Sequence, residues 1–65
     1  MANIANNVRK ARKKAGLSQD KLAREASVAY NTVVKIESGE NKNPTIETLR
    51  NIARALKISV DELIN

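Results

Sequence analysis

Residues 17–39 have the sequence LSQDKLAREASVAYNTVVKIESG. Apolar residues recur in it at helical spacing in two short runs, which predicts one helix over about Gln19–Glu25 and another over about Tyr30–Glu37. The residues between them, Ala26-Ser27-Val28, are too few for anything but a sharp corner. We expect Gly39 to end the second helix, because glycine adopts the left-handed backbone that closes many helices.

The short corner makes this helix pair a helix-turn-helix, a motif whose second helix can lie in the major groove of DNA. Val33 and Ile36 take the inward face of that second helix. The residues left to point elsewhere are Ala29, Tyr30, Asn31, Val34 and Lys35. The second helix is therefore the candidate for reading a base sequence.

Several polar side chains of the motif suit the edges of base pairs. Asn31 can accept from N6 of adenine and donate to N7, although a polar residue on a wet helix face would look the same. Lys35, one turn later, suits guanine or a phosphate. Tyr30 can contact a thymine methyl or a phosphate, or it can pack against the first helix. Gln19 has donors and an acceptor near a helix N-terminus, where backbone N–H groups attract phosphate.

Composition limits the chemistry that the chain can perform. Its 65 residues suffice for one domain, and it contains no cysteine and no histidine. Disulfides, thiolate metal sites and imidazole ligands or bases are thereby excluded. The only two glycines, Gly16 and Gly39, are too far apart to form a phosphate-binding loop. We therefore expect no enzyme activity, no metal site and no cofactor, and a core built from aliphatic side chains.

The charge of the chain favours a polyanionic partner. Twelve Lys and Arg residues stand against seven Asp and Glu residues, which gives a net charge of +5. Nucleic acid and an anionic membrane surface both fit that charge. No apolar run approaches the roughly 18 residues of a membrane helix, and the N-terminus lacks the apolar segment of a signal peptide. The lack of cysteine is compatible with the cytosol.

Three further helices are predicted outside the motif, over about residues 3–14, 46–56 and 60–64. Gly16 is expected to end the first of them. Their expected N-caps are Asn3, Thr45 and Ser59, the last in a capping box with Glu62. Their apolar faces comprise Ile4, Val8, Ala11 and Ala15, then Ile46, Leu49, Ile52, Ala53 and Leu56, and finally Val60, Leu63 and Ile64. The chain is therefore predicted to be all-α, a compact five-helix domain without strands.

Two stretches outside the second helix are candidates for phosphate contact. One is the basic run at the end of the first helix, which comprises Arg9, Lys10, Arg12, Lys13 and Lys14. Cations there also suit the negative end of the helix dipole, so a solvated face explains them equally well. The other is the loop from Glu40 to Pro44, in which Lys42, Asn43 and a backbone N–H can hold a phosphate, although an ordinary polar loop has the same composition.

The signals occur in an order that extends over most of the chain. They are Leu17-Ser18-Gln19, Leu22-Ala23, Thr32-Val33, Ile36-Glu37, Asn43-Pro44 and Ser59-Val60-Asp61-Glu62-Leu63. In this order they resemble the helix-turn-helix family of phage repressors and Cro proteins, the xenobiotic-response-element-type transcriptional regulators. The resemblance runs from Ile4 to Ile64 and implies a lambda-repressor-like fold.

The resemblance also implies roles for individual residues. Those matched to positions that contact bases are Gln19, Ala29, Tyr30, Asn31 and Lys35. Those matched to positions near phosphates are Ser18, Ser38, Lys42 and Asn43, and Arg12 of the basic run is expected to join them. Arg12 and Glu37 match a pair that forms a buried salt bridge between the first and third helices in some relatives. The chain departs from the family at Ser27, where glycine is usual, and at Ala29, where a Ser or Thr cap is usual.

The leading expectation is a sequence-specific, double-stranded DNA-binding transcriptional regulator, a repressor that binds a near-palindromic operator. Family members usually bind DNA as homodimers, and Ile58, Val60 and Ile64 near the C-terminal end are either dimer contacts or core. The family implies the cytoplasm of a bacterium, with a bacterial or phage-encoded protein associated with the nucleoid. Polymerase is a protein partner that such a regulator can contact, and no membrane partner is expected.

Two other functions fit parts of the sequence. Relatives of this fold act as antitoxins, which bind a toxin and also regulate their own transcription. Non-specific binding to nucleic acid or an anionic membrane would use the basic first helix alone, but the charges do not form one long amphipathic stripe. The Met1 start and a last helix that reaches the C-terminus favour a whole small protein over a fragment.

Overall fold

The structure, a computed structural model, describes residues 3–65, so the predicted start at Met1 lies outside the described residues. The helices are α1 (Ile4–Lys14), α2 (Gln19–Glu25), α3 (Tyr30–Ser38), α4 (Ile46–Leu56) and α5 (Val60–Ile64). No strand occurs within the described residues. The prediction of an all-α, five-helix domain is confirmed.

Short polar side chains set where the helices begin. The Asn3 side chain accepts from the backbone N–H of Asn6 at 3.0 Å, so Asn3 is the N-cap of α1 and the helix starts one residue later than the predicted 3–14. Ser18 and Thr45 cap α2 and α4 in the same way. Ser59 and Glu62 form the reciprocal bonds of a capping box at α5.

The end of α3 lies one residue beyond the predicted Glu37, at Ser38. Gly39 follows with φ +84°, the left-handed conformation expected of it, and its N–H donates to the carbonyl of Ile36 at 3.2 Å. The helix therefore continues up to the residue before Gly39, which ends it.

The core lies where the five helices meet. Helix α3 packs against α1 and α2, α4 packs against α2 and α5, and α5 returns to α1. The buried apolar residues are Val8, Leu22, Ala23, Ala26, Val33, Ile36, Leu49, Ile52, Ala53, Leu56 and Leu63. This arrangement buries one face of α3 and leaves its opposite face open.

Two residues of the predicted apolar faces are exposed. Ala15 is the C-cap of α1, and Ile46, the first residue of α4, is 58% exposed. Both lie at helix ends, where the periodic face continues but the neighbouring helices no longer cover it. Placing them on inward faces was therefore wrong, because periodicity gives a direction around the helix and not the extent of the helix that covers it.

Ser27 at the corner between α2 and α3 has φ +56°. Left-handed backbone costs a residue with a Cβ atom about 1–2 kcal/mol. Ser27 adopts this conformation because the backbone must turn sharply between α2 and α3 within a few residues.

Replacing Ser27 by glycine should raise the free energy of unfolding by about 1 kcal/mol, since glycine removes the cost at positive φ but gains freedom in the unfolded chain. Urea denaturation measures the change, which corresponds to a rise in Tm of roughly 4–8 °C for a domain of this size. Lys57→Gly is a matched control for the effect of positive φ, because Lys57 has φ +60° in another turn and the same backbone cost applies there. A Ser27→Gly variant no more stable than the parent would show that the corner is not strained.

Candidate nucleic-acid interface

Helix α3 divides into a buried face and an open face. Val33, Ile36 and Glu37 are buried, and they hold the helix against α1 and α2. Tyr30 is 51% exposed, and Ala29, Asn31 and Lys35 are also exposed. Asn31 and Lys35 are four residues apart, so they share one side of the helix. The candidate base-contacting residues of α3 thus lie on a surface that a ligand can reach.

The start of α3 lacks a side-chain cap. Ala29 occupies the N-cap position with an extended backbone (φ −67°, ψ 147°), and its methyl group has no hydrogen-bonding atom. The first N–H groups of a helix have no partner within the helix. At α3 the Thr32 N–H donates to the Ala29 carbonyl at 3.0 Å, so the N–H groups of Tyr30 and Asn31 are the donors left to solvent or to a ligand.

An ion pair joins α1 to α3 beneath this surface. The Arg12 Nε donates to Glu37 Oε2 at 2.6 Å and Nη2 donates to Oε1 at 3.1 Å, with the two side chains 11% and 3% exposed. Arg12 Nη1 also donates to the carbonyl of Leu17 at 2.7 Å. The structure therefore brings together the two residues that the family resemblance paired.

The same contacts bear on the predicted phosphate contact of Arg12. Three of the five guanidinium N–H groups are directed at Glu37 and Leu17, so only the remaining two could meet a phosphate. The contact stays a prediction. Most of the Arg12 hydrogen bonds go to protein partners.

Glu37 has two further partners that the sequence did not reveal. Gln19 Nε2 donates to Glu37 Oε1 at 3.1 Å, and Arg9 Nη1 donates to the Glu37 carbonyl at 3.0 Å. Arg9 also donates to the side chain of Asn6. Arg9 had no signal beyond its place in the basic run, since its partner is 28 residues away.

The basic run of α1 is divided by these bonds. Arg9 and Arg12 reach inward to Glu37, while Lys10, Lys13 and Lys14 are exposed. Lys10 and Lys14 share a groove with Ile58 and Glu62, on the side of α1 towards α5. The basic run is thus not one surface patch, because Arg9 and Arg12 bond to Glu37 while Lys10 and Lys14 lie on the side towards α5.

The predicted phosphate-contacting residues lie at helix ends and in the loop after α3. Ser18 is exposed, and its hydroxyl accepts from the Lys21 N–H at 3.0 Å. The Ser38 hydroxyl donates to the Lys35 carbonyl at 3.1 Å and accepts from the Glu40 N–H at 3.3 Å. These bonds hold the Ser18 hydroxyl at the start of α2 and the Ser38 hydroxyl at the end of α3.

The loop itself is held by Asn41. Its backbone N–H donates to the Lys35 carbonyl at 3.0 Å, and its side chain accepts from the Asn43 N–H at 3.1 Å. Lys42 and the Asn43 side chain are exposed. Because the Asn43 N–H is used within the loop, a backbone contact to phosphate would need a different donor.

Within residues 3–65, His, Cys, Asp and Glu side chains form no group of three that could hold a metal ion. None of the helices in that range has the length and apolar character needed to cross a bilayer.

Comparison with known proteins gives concordant matches. A family model described as "Helix-turn-helix" matches residues 8–63. The transcriptional regulator SinR of Bacillus licheniformis is 34% identical over 62 residues, which are 95% of this chain and 56% of that protein. The chain spans 30–56% of the length of the curated regulators that it matches.

Solved structures match over nearly the whole chain. The restriction-modification controller protein C.AhdI of Aeromonas hydrophila has a TM-score of 0.90 at 28% identity, covering 97% of this chain and 94% of that one. SinR solved in complex with DNA has a TM-score of 0.90 at 33% identity, covering 92% of this chain and 95% of that one.

Proposed function

Because the chain belongs to the helix-turn-helix family, we propose that it is a sequence-specific regulator of transcription whose helix α3 lies in the major groove of double-stranded DNA. The observation that supports this best is the division of α3. Three buried side chains anchor the helix, while Tyr30, Asn31 and Lys35 stand exposed on it. The similarity to SinR, a protein solved in complex with DNA, supports the same assignment.

Within this proposal the exposed side chains divide into two groups. Asn31 makes a bidentate contact to adenine, and Lys35 donates to guanine or to a phosphate. Ser18, Ser38, Lys42 and Asn43 contact backbone phosphates and set the register on DNA, a contact that carries no sequence information directly. The net charge of +5 favours DNA as the partner, both for the base contacts and for the phosphate contacts.

The proposed regulator binds a near-palindromic operator as a homodimer and represses by occupying it. One domain of this size buries roughly 600–1,000 Å² on DNA, so a single copy would bind weakly. Ile58, Val60 and Ile64 pack against the core but are only partly buried, and their exposed parts are the proposed dimer contacts near the C-terminal end. Half-sites read by two copies would lie about 34 Å apart, one helical turn of DNA.

Selection from a random double-stranded DNA pool at two salt concentrations tests the proposal. Enrichment of a two-fold related motif with about one turn between half-sites would support a dimeric specific regulator. Binding without any enriched motif, fading as salt rises, would leave only the electrostatic contribution and would contradict the proposal.

Variants should separate base contacts from phosphate contacts on the selected operator. Asn31→Ala should cost about 1–3 kcal/mol of binding free energy and relax the preference at one base pair, whereas Lys42→Ala should weaken all sequences alike and reduce the salt slope by about 1. Lys10→Ala is the matched control for lost charge, because Lys10 is exposed on the side of α1 towards α5. Equal losses for Lys10→Ala and Lys42→Ala would contradict the assignment of Lys42.

A further inference from the structure

Glu37 is a buried carboxylate that touches a candidate base-contacting residue. Its Oε1 accepts from Arg12 Nη2 and from Gln19 Nε2, each at 3.1 Å, and its Oε2 accepts from Arg12 Nε at 2.6 Å. The Glu37 side chain is 3% exposed, while Gln19 is partly exposed at the first position of α2. Glu37 therefore holds Gln19 through Nε2, which leaves Oε1 and one Nε2 hydrogen of this partly exposed residue for other partners.

The carboxylate determines which way the Gln19 amide faces. An ionised carboxylate only accepts hydrogen bonds, whereas a glutamine amide has donors on Nε2 and acceptor lone pairs on Oε1. Turning the amide by 180° would place Oε1 against Glu37 Oε1, so that two acceptors would face each other. The observed orientation, with Nε2 inward, is therefore the one that the charge of Glu37 enforces.

We propose that Glu37 is a positioning residue for DNA recognition, which fixes the Gln19 amide so that Oε1 is the group presented to the base edge. A fixed acceptor pairs with a donor in the major groove, and only adenine N6 and cytosine N4 supply one. Because only one Nε2 hydrogen is left to meet an acceptor, this orientation favours adenine or cytosine on the contacted strand. This inference rests on the proposed function, since it requires Gln19 to meet DNA.

The fixed orientation also separates base contact from phosphate contact. Phosphate oxygens only accept hydrogen bonds, so they would have to meet the one Nε2 hydrogen that Glu37 leaves free. A glutamine without Glu37 could turn both donors to the phosphate. With Glu37 in place, Gln19 has one donor for a phosphate instead of two, which favours contact to a base edge, while Ser18 beside it remains available for the backbone.

Three proteins compared by selection from random DNA test this inference: the parent, Gln19→Met and Glu37→Gln. The parent should favour adenine or cytosine at one position of each half-site, and Gln19→Met should lose that preference and keep the rest of the motif. Glu37→Gln should accept guanine and thymine there as well, since a neutral amide can either accept or donate. Discrimination at that position should fall by roughly 5–150-fold, the range expected for one good base contact.

A measurement on the free protein keeps the test independent of DNA and of the stability of Glu37→Gln. Nitrogen-15 relaxation of the side-chain amides should show the Gln19 NH₂ group to be rigid. The exposed Asn31 NH₂ group is the matched control and should be mobile. Equal mobility of the two groups would overturn the inference.

The remaining outcomes distinguish the inference from the proposed function. If the parent enriched no motif, that result would contradict both the proposed function and the role of Glu37. An enriched motif whose Gln19-dependent position favours guanine or thymine, or stays unchanged in Glu37→Gln, would overturn the role of Glu37 and leave the regulator intact. If Gln19→Met selected the same motif as the parent, that result would also overturn the role of Glu37 and leave the proposed regulator intact.

Discussion

Arg12→Ala is expected to lower the free energy of unfolding by about 3–5 kcal/mol, because it leaves the Glu37 carboxylate buried without its counter-charge. The Glu37 side chain is 3% exposed, so its carboxylate depends on Arg12 and Gln19 for hydrogen bonds. The total stability of a domain this small is of the order of 3–10 kcal/mol. Urea denaturation followed by circular dichroism should therefore find the variant largely or partly unfolded without denaturant.

The double variant Arg12→Met with Glu37→Leu is the control for that experiment. Replacing a whole buried ion pair by apolar residues of similar volume is often neutral or stabilising by about 1–4 kcal/mol. We therefore expect the double variant to be close to the parent in stability. A loss as large as that of Arg12→Ala would show that the ion pair itself, and not the avoidance of a lone buried charge, holds α1 to α3.

Ile52→Ala should cost about 2–5 kcal/mol, since the residue is fully buried and its removal leaves a cavity between the helices. Ile46→Ala, a change of the same residue type in the same helix, should stay within about 0.5 kcal/mol of the parent. The two residues are 0% and 58% exposed. The difference between the two free energies of unfolding thus measures burial alone, with side-chain chemistry and helix held constant.

Both variants can be followed by urea denaturation under identical conditions. A similar loss for Ile46→Ala and Ile52→Ala would mean that Ile46 is covered in solution, for example by a second copy of the chain. Repeating the Ile46→Ala measurement over a range of protein concentrations would distinguish that case, because stability that depends on association changes with concentration.

Most of the fold could be predicted from local signals in the sequence. Asn3, Ser18, Thr45 and Ser59 accept from N–H groups three residues ahead, and Gly39 adopts positive φ directly after α3. Such signals act between near neighbours, so a single sequence contains all that they need. The errors were one residue at each of two helix ends and the inward placement of Ala15 and Ile46.

The candidate site was predictable only in part. The open face of α3 followed from the positions of Val33 and Ile36, which are buried as the helical period requires. The inward bonds of Arg9 and Gln19 did not follow, because their shared partner Glu37 is 28 and 18 residues away. A basic or amide side chain in the sequence does not indicate which distant acceptor it will meet.

By itself the sequence determined the five helices, their caps and the amphipathic faces that make them pack, because these depend on periods and contacts within a few residues. Tertiary structure alone decided which part of each apolar helix face is covered and which distant polar groups form hydrogen bonds with each other. It exposed Ile46, joined the Asn7 side chain to the Leu63 carbonyl at 2.8 Å, and placed the Gln19 amide against Glu37. Each of these outcomes depends on where a helix distant in the chain comes to lie, which only the packing of the whole core settles.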